Sequence, residues 1–477
     1  MHDQAETRGA RGATRWTEAE FRRLRAMADP EIDEAVAEYR RAHPELRSPA
    51  ALLGALFKEL HAEPTGFTGA LGELATGDAL PSWGGDGARI ERGQRVFNDH
   101  GLYQSVALFF ACLPLAYAAP AGAKVLVCSS DLANGNVSRR IAQTGQMLIN
   151  VMGMRGPAEG ELPSLAHGGR GYGNAIGLRL LHSCIRALVL DLDGPRAWDS
   201  AAYGPPVNQE LLLATLLDFS LVTWKVMERM GITLSEDDRA ANLYTWSVFG
   251  HLMGVEACRE GPLALDELKT IRARLDGLFE PTREGRQLMA ALLEEMEEFM
   301  VLGWRKLPRS LIHWLFKGTG EGVDVVPALL GVPRPAWWSA PLFATAAAAQ
   351  RFSWLPDPLR PVARRLIRRL GRAVVITYAD RFAGDPVPFE IPAELARRWR
   401  LRQRPVARHV REKRRQVRGK VRTALRHSGG QAATAAADPY EPPDQRPGER
   451  LTGREEEERR HGSPRTRNAD HRHPSVH

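Results

Sequence analysis

The chain has 477 residues, 43% of them hydrophobic, enough to bury one large core or two ordinary ones; this excludes a wholly disordered protein. A formal net charge of +8 points toward polyanions or anionic membranes, but basic residues crowd after Glu394, so the sign belongs mostly to a tail. Four cysteines, Cys112, Cys128, Cys184 and Cys258, form no CxxC pair, which favours free thiols in a reducing compartment over a thiolate zinc site.

Residues 1–15 are polar without an apolar core segment, so disorder is expected there, with neither a secretory nor a transit signal and a cytoplasmic location. Thr17-Glu-Ala-Glu20 resembles a capping box and opens a charged, peripheral helical region to Arg41. A short amphipathic helix is expected at 48–60, and the glycine- and proline-rich stretch 64–87 reads as a connector. Residues 16–82 thus form a helical N-terminal extension, and 83–396 the main body.

The body opens with Trp83 and the run Arg89 to Phe97. The most apolar window, 106–119, contains Pro114 and falls short of the ~20 residues that span a bilayer, so a core helix is expected. A second helix at 138–152 carries Arg140 and Thr144 at i and i+4. A glycine-rich loop, 153–173, leads to a buried helix at 176–190, on which Arg179, His182 and Arg186 share one polar stripe. Asn208 caps a helix over 210–230 that Gly231 stops, and Ser235 caps another that reaches Met253 and Gly254. Further helices are expected at 265–278, 286–302, 308–316 and 358–378.

No segment alternates like a strand, and no repeat is visible, so the fold class is mainly α. After about Ala396 the composition turns basic as far as His427 and then lacks apolar content, which makes 397–477 a basic, largely disordered tail.

There is no P-loop, HExxH motif, nucleophile elbow or dinucleotide fingerprint. Gly168-Gly-Arg-Gly-Tyr-Gly173 is glycine-rich like a phosphate loop, but nothing strand-like precedes it. Taken alone, His182 reads first as a hydrogen-bonded core histidine and second as a metal ligand. A non-haem centre would need His167, His251 or His313 to converge with it, whereas a haem needs one proximal imidazole and cations for its propionates. Arg140 can equally be a salt-bridged arginine and Thr144 a threonine bonded to its own helix. Trp224 and Trp246 read as core residues. The basic segment 397–427 is a candidate for peripheral contact with an anionic membrane, its interleaved Trp399, Leu401 and valines favouring lipid over nucleic acid; a solvated tail is the alternative.

The series Arg92-Gly-Gln-Arg-Val-Phe97, Leu113-Pro-Leu-Ala-Tyr117, Arg140-Ile-Ala-Gln-Thr144, Gly171-Tyr-Gly173, Arg179-Leu-Leu-His-Ser-Cys-Ile-Arg186, Gly204-Pro-Pro-Val-Asn-Gln209 and Trp246-Ser-Val-Phe-Gly-His-Leu-Met-Gly254 resembles the latex clearing protein (rubber oxygenase) and MpaB-type oxygenase family. The likeness runs over roughly 83–384, with the motifs in the family's order. It implies a globin-like helical domain that binds haem b through His182, with Arg140 and Thr144 lining the distal side and Arg179 or Arg186 pairing with a propionate or with the surroundings of the ligand helix. It further implies O2 as co-substrate and oxidative C=C cleavage of an unsaturated, isoprenoid or lipid-like substrate. Rubber-cleaving members carry a lysine just before that threonine; Gln143 stands there in this chain. Those members are exported, and the expected lack of a signal argues against an insoluble polymer outside the cell. The alternative from another class is a non-catalytic haem- or lipid-binding protein held at a membrane by its basic tail.

Overall fold

In the computed structural model the chain divides at residue 410 into a first unit, 1–410, and the remainder, 411–477. The structure describes residues 15–46, 49–62, 69–129, 137–155, 162–190, 197–298, 304–317 and 323–350, with isolated positions at 192, 300 and between 357 and 376, all in the first unit. The disorder expected at the extreme N-terminus and the tail from 397, with its expected membrane contact, lie outside the described residues, as does much of the helix expected at 358–378.

The described elements are helical, and no strand occurs among them. The extension comprises α1 (Glu18–Ala26), α2 (Pro30–Ala42), α3 (Pro49–Ala62) and α4 (Gly69–Thr76). The body begins with α5 (Gly87–Asp99), α6 (Gly101–Ala118), α7 (Pro120–Ser129), α8 (Val137–Val151), α9 (Arg170–Val189) and the short α10 (Ser200–Tyr203). It continues through α11 (209–229), α12 (Glu236–Leu252), α13 (Leu268–Asp276), α14 (Arg283–Glu298), α15 (Leu307–Phe316), α16 (Val326–Leu329) and α17 (Ser339–Ala349).

The local start signals act as the sequence suggests. The hydroxyls of Thr17 and Ser235 accept from the backbone N–H groups of Glu20 and Asp238, each at 3.2 Å, and the Asn208 amide oxygen accepts from Leu211 N at 3.1 Å. Gly231 closes α11 with φ +88°, a conformation that favours glycine. Pro30 divides the region expected to be continuous over 17–41, because a proline is comfortable only in a helix's first turn.

Three expectations need correction. The supposed connector 64–87 contains α4, held by buried Leu71 and Leu74. The expected loop 153–173 ends early, because α9 starts at Arg170 and takes in Gly171 and Gly173. A Cβ on Gly171 would meet Ser164 Oγ at 2.4 Å and Val151 Cα at 3.0 Å, so these glycines serve close helix packing rather than a flexible loop. The apolar window around Pro114 belongs to an 18-residue helix, long and apolar enough by composition to cross a membrane, of which 56% is buried inside the protein.

Two helices contain a π-turn, Leu108–Cys112 in α6 and Asp218–Val222 in α11, and these pack against one another. The first precedes Pro114, where the backbone ladder lacks an N–H in any case. Around them lies one continuous core: Trp246, fully buried, stacks on Phe219 at 4.9 Å, and buried Trp224 donates to Asn242 Oδ1 at 2.9 Å. At the crossing of α5 with α12, Gly93 touches the other backbone so closely that a Cβ would lie 2.4 Å from Ala241 O.

The extension is not peripheral. Helices α2 and α3 both pack on α9, and Ile32, Val36, Leu52 and Leu56 are fully buried. Full burial of each such aliphatic contributes roughly 1.5–3 kcal/mol, so α9 is sandwiched between the extension and the body.

Candidate functional site

Most of α9 is buried, but Asn174, Leu178, Leu181 and His182 are only half-buried. Their i, i+4, i+7, i+8 spacing makes them one stripe. On α8, residues 143–147 and Asn150 are likewise half-buried. Asn150 Nδ2 donates to Asn174 Oδ1 at 3.1 Å, Asn150 Oδ1 accepts from Gln146 Nε2 at 3.0 Å, and Ser164 Oγ donates to Val151 O at 2.8 Å, so the end of α8 is pinned to the start of α9. At 1.5 Å per residue, Gln143 and Thr144 lie about 10 Å back along α8 from that bond, and His182 about 12 Å forward along α9.

Gln94 and Asn98 of α5 fix α8 from below. Their amide groups donate to Val151 O at 2.8 Å and Met152 O at 2.9 Å, satisfying carbonyls at the helix end. The Arg92 to Phe97 motif thus anchors a wall of the site rather than entering it.

Arg179 and Arg186 are taken up by α2. Arg179 Nε and Nη2 donate to the two oxygens of Asp29 at 2.6 and 2.9 Å; Arg186 Nε reaches both oxygens of Asp33 at 2.8 Å, and its Nη1 donates to Val207 O at 3.2 Å. Both partnerships are to the helix's surroundings. Gly254, with φ +74°, lies against the first pair: a Cβ there would meet Arg179 Nε at 2.5 Å and Asp29 Oδ2 at 2.6 Å. Gln209 closes the arrangement, its side chain donating to Ala28 O at 2.7 Å and Gly254 O at 2.9 Å and accepting from Glu256 N at 2.8 Å. Three sequence-distant motifs, on α9, at 204–209 and at 251–254, therefore converge on the α1–α2 junction and fix the roll of α9.

His182 itself is half-buried, with its Nδ1 buried. Thr144 is half-buried on α8; Arg140 belongs to the same helix, one turn before Thr144, with its side chain outside the described residues. The three histidines singled out in the sequence beside His182 each have a partner elsewhere: His167 Nε2 hydrogen-bonds Ala75 O at 3.3 Å, His251 Nδ1 hydrogen-bonds Cys258 O at 3.0 Å, and His313 Nε2 hydrogen-bonds Pro333 O at 3.0 Å. Burial lowers the pKa of His251, keeping its ring neutral. No group of three or more His, Cys, Asp or Glu side chains suited to a metal ion occurs among the described residues. A haem would need only the single imidazole, and the half-buried apolar stripe beside it suits a flat apolar ring; the two guanidiniums, already paired, do not suit its propionates.

The thiol next to this helix face is inert. Burial pushes Cys184 up to about 12 and Cys258 to about 12. A strongly shifted carboxylate is Asp218 in the π-turn of α11: burial raises its pKa to about 7, against the nearby Arg272 guanidinium 3.5 Å away. A separate cleft of about 450 Å³ opens among α14, α15 and 330–333; it is lined by Arg286, Met289, Leu293, Arg309 and neighbours, with no residue of α8 or α9.

The sequence reading missed Asp29, Asp33 and Gln209. The signal was an acid pair at i, i+4, Asp29 at the N-cap of α2 and Asp33 in its first turn, next to buried Ile32 and Val36.

A family model described as the catalytic domain of ER-bound oxygenase mpaB/B' and rubber oxygenase matches residues 95–418. The chain is 24% identical over 353 residues to rubber oxygenase of Streptomyces sp. (strain K30), covering 72% of this chain and 80% of that protein. A solved structure of latex clearing protein in the closed state shares the fold, with a TM-score of 0.55 at 23% identity over 74% of this chain and 91% of that one.

Proposed function

Since the chain belongs to the family of MpaB-type and rubber oxygenase catalytic domains, we propose that it is a haem b-dependent oxygenase that uses O2 to cleave C=C bonds in an unsaturated hydrophobic substrate, isoprenoid or lipid-like. What supports the reading is the packing of α8 on α9, joined at Asn150 and Asn174, with His182, Gln143 and Thr144 all half-buried and Leu178 and Leu181 forming a half-buried apolar stripe beside the histidine.

His182 would hold the haem iron through Nε2, which requires a neutral imidazole. Bound there, the iron porphyrin supplies the redox centre that activates O2. Arg179 and Arg186 act as positioning residues in this reading, because their ion pairs with Asp29 and Asp33 set the rotation of α9 and hence the aim of the imidazole. Leu178, Leu181 and Met147 offer apolar walls that exclude water and accept an alkene chain. Thr144 and Gln143 bring hydrogen-bonding groups to the opposite side, and Arg140 a cation one turn further along α8. Gln143 can donate a hydrogen bond but cannot give up a proton as a lysine can, so proton delivery at that position is absent in this chain. The basic segment 397–427 we assign to peripheral contact with anionic lipid.

The test is the visible spectrum of protein produced with ample haem, followed by O2 consumption over unsaturated isoprenoids and lipids. A Soret band with substrate-dependent O2 uptake is expected. No Soret band would sink the haem reading, and a Soret band with no O2 uptake on any alkene would favour a haem carrier.

A further inference from the structure

Of the ten large hydrophobic side chains that stand exposed among the described residues, seven fall between 304 and 366. The centre of this concentration is α17, whose sequence Ser-Ala-Pro-Leu-Phe-Ala-Thr-Ala-Ala-Ala-Ala has no charge at all. Its inner face is well seated. Ser339 is buried, Phe343 packs on Trp314 at 5.6 Å, and Ala347 O lies so near Gly231 that a Cβ there would come within 2.1 Å.

The outer face, positions 340–342, 344–346 and 348, is open to solvent. Its one hydroxyl, on Thr345, donates to Pro341 O at 2.8 Å, so the face presents nothing that prefers water. Trp337, 91% exposed, stands just before the helix, and Trp304, 47% exposed, sits edge-on to Trp338 at 5.7 Å. A soluble surface rarely leaves an uncharged helix and two tryptophans together in water.

The rim is mostly basic. Arg305, Lys306, Lys317 and Arg334 are exposed in the segments flanking the helix, against exposed Asp324, and Asp357 is the only acid between 325 and 379, a span rich in arginine. The patch continues past α17: Gln350 accepts from Tyr103 of α6 at 2.6 Å, and Arg368 pairs with Asp99 of α5 at 3.1 Å. Both ends thus meet the α5–α6 junction, bringing the exposed Val362 and Leu366 into the same region.

From these features we propose that the outer face of α17, with Trp304 and Trp337, is an interfacial docking surface for an anionic lipid bilayer. Tryptophan rings and small apolar side chains enter the headgroup boundary, while the surrounding arginines and lysines meet the acidic headgroups. Charge selects this occupant. Two copies of the chain would bring like-charged rims together, and a neutral hydrocarbon surface would leave those cations without partners.

The experiment is flotation of the full-length protein with phosphatidylcholine vesicles, with and without about 30% phosphatidylglycerol. Binding is expected to the acidic vesicles, to weaken with salt, and to fall at least about tenfold in W337E/L342E. Since both side chains stand in solvent, circular dichroism and melting should not move. T345E, on the same open face, provides a second reading and should also weaken binding. The proposal is overturned if the wild-type protein binds neither vesicle or both equally, if the variants bind as well as wild type, or if the wild type is a dimer that the variants dissociate.

Discussion

Arg179 donates two hydrogen bonds to Asp29, a residue 150 positions earlier in the chain, and both side chains are nearly withdrawn from water. The pair joins the first helices of the chain to the helix of His182. Replacing Asp29 by alanine leaves a buried guanidinium without its carboxylate, and a loss of about 3–5 kcal/mol is expected in urea unfolding. Asp29→Ala combined with Arg179→Met should recover a large part of it. If the double variant is no more stable than the single one, the pair is not the source of the loss.

Gly254 allows a sharper measurement of the same junction. Gly254→Ala must place a Cβ against both members of the ion pair and adopt φ +74°, so a loss of at least about 2 kcal/mol is expected. Gly261→Ala, where nothing lies within 4 Å, is the control and should stay within ~1 kcal/mol of wild type. Equal melting shifts for the two would refute the close packing.

His182→Ala should remove the Soret absorbance of haem-loaded protein, or reduce haem retention at least about tenfold, because His167, His251 and His313 are hydrogen-bonded elsewhere. Far-ultraviolet circular dichroism should be unchanged. Full haem retention in this variant would mean that a different residue is the ligand.

Asp218 makes stability depend on pH. Its folded-state pKa, raised by burial to about 7, lies above its unfolded value, so its contribution is fully present below pH ~4 and is lost as pH rises through about 7. Wild-type protein should melt at a lower temperature at pH 8 than at pH 6. Asp218→Asn should flatten that part of the profile, the difference amounting to a few kcal/mol at most. Parallel profiles for the two proteins would show that Asp218 stays ionised when folded.

Much of the fold could be read because its signals are local. The caps at Thr17, Asn208 and Ser235 and the stop at Gly231 act within four residues of themselves, and short-range hydrogen bonding decides them. Helix α4 was missed because a glycine-rich stretch takes helical form here only through the burial of Leu71 and Leu74 by distant elements. The π-turns escaped notice since a single extra residue leaves a helical pattern looking continuous. On the helix of His182, the shared stripe of Arg179, His182 and Arg186 could be read in advance, but the destination of Arg179 and Arg186 could not. Nothing within ten residues of either arginine says that its counter-charge comes from α2.

That dependence sets an order of events during synthesis. The carboxylates of Asp29 and Asp33 emerge long before the guanidiniums they neutralise, so α2 must wait in an incomplete state while well over a hundred further residues are made. The region shared with the family starts at residue 95, beyond both acids. A chain begun at that boundary would retain His182 and lose Asp29 and Asp33, the carboxylates that pair with Arg179 and Arg186 on its helix.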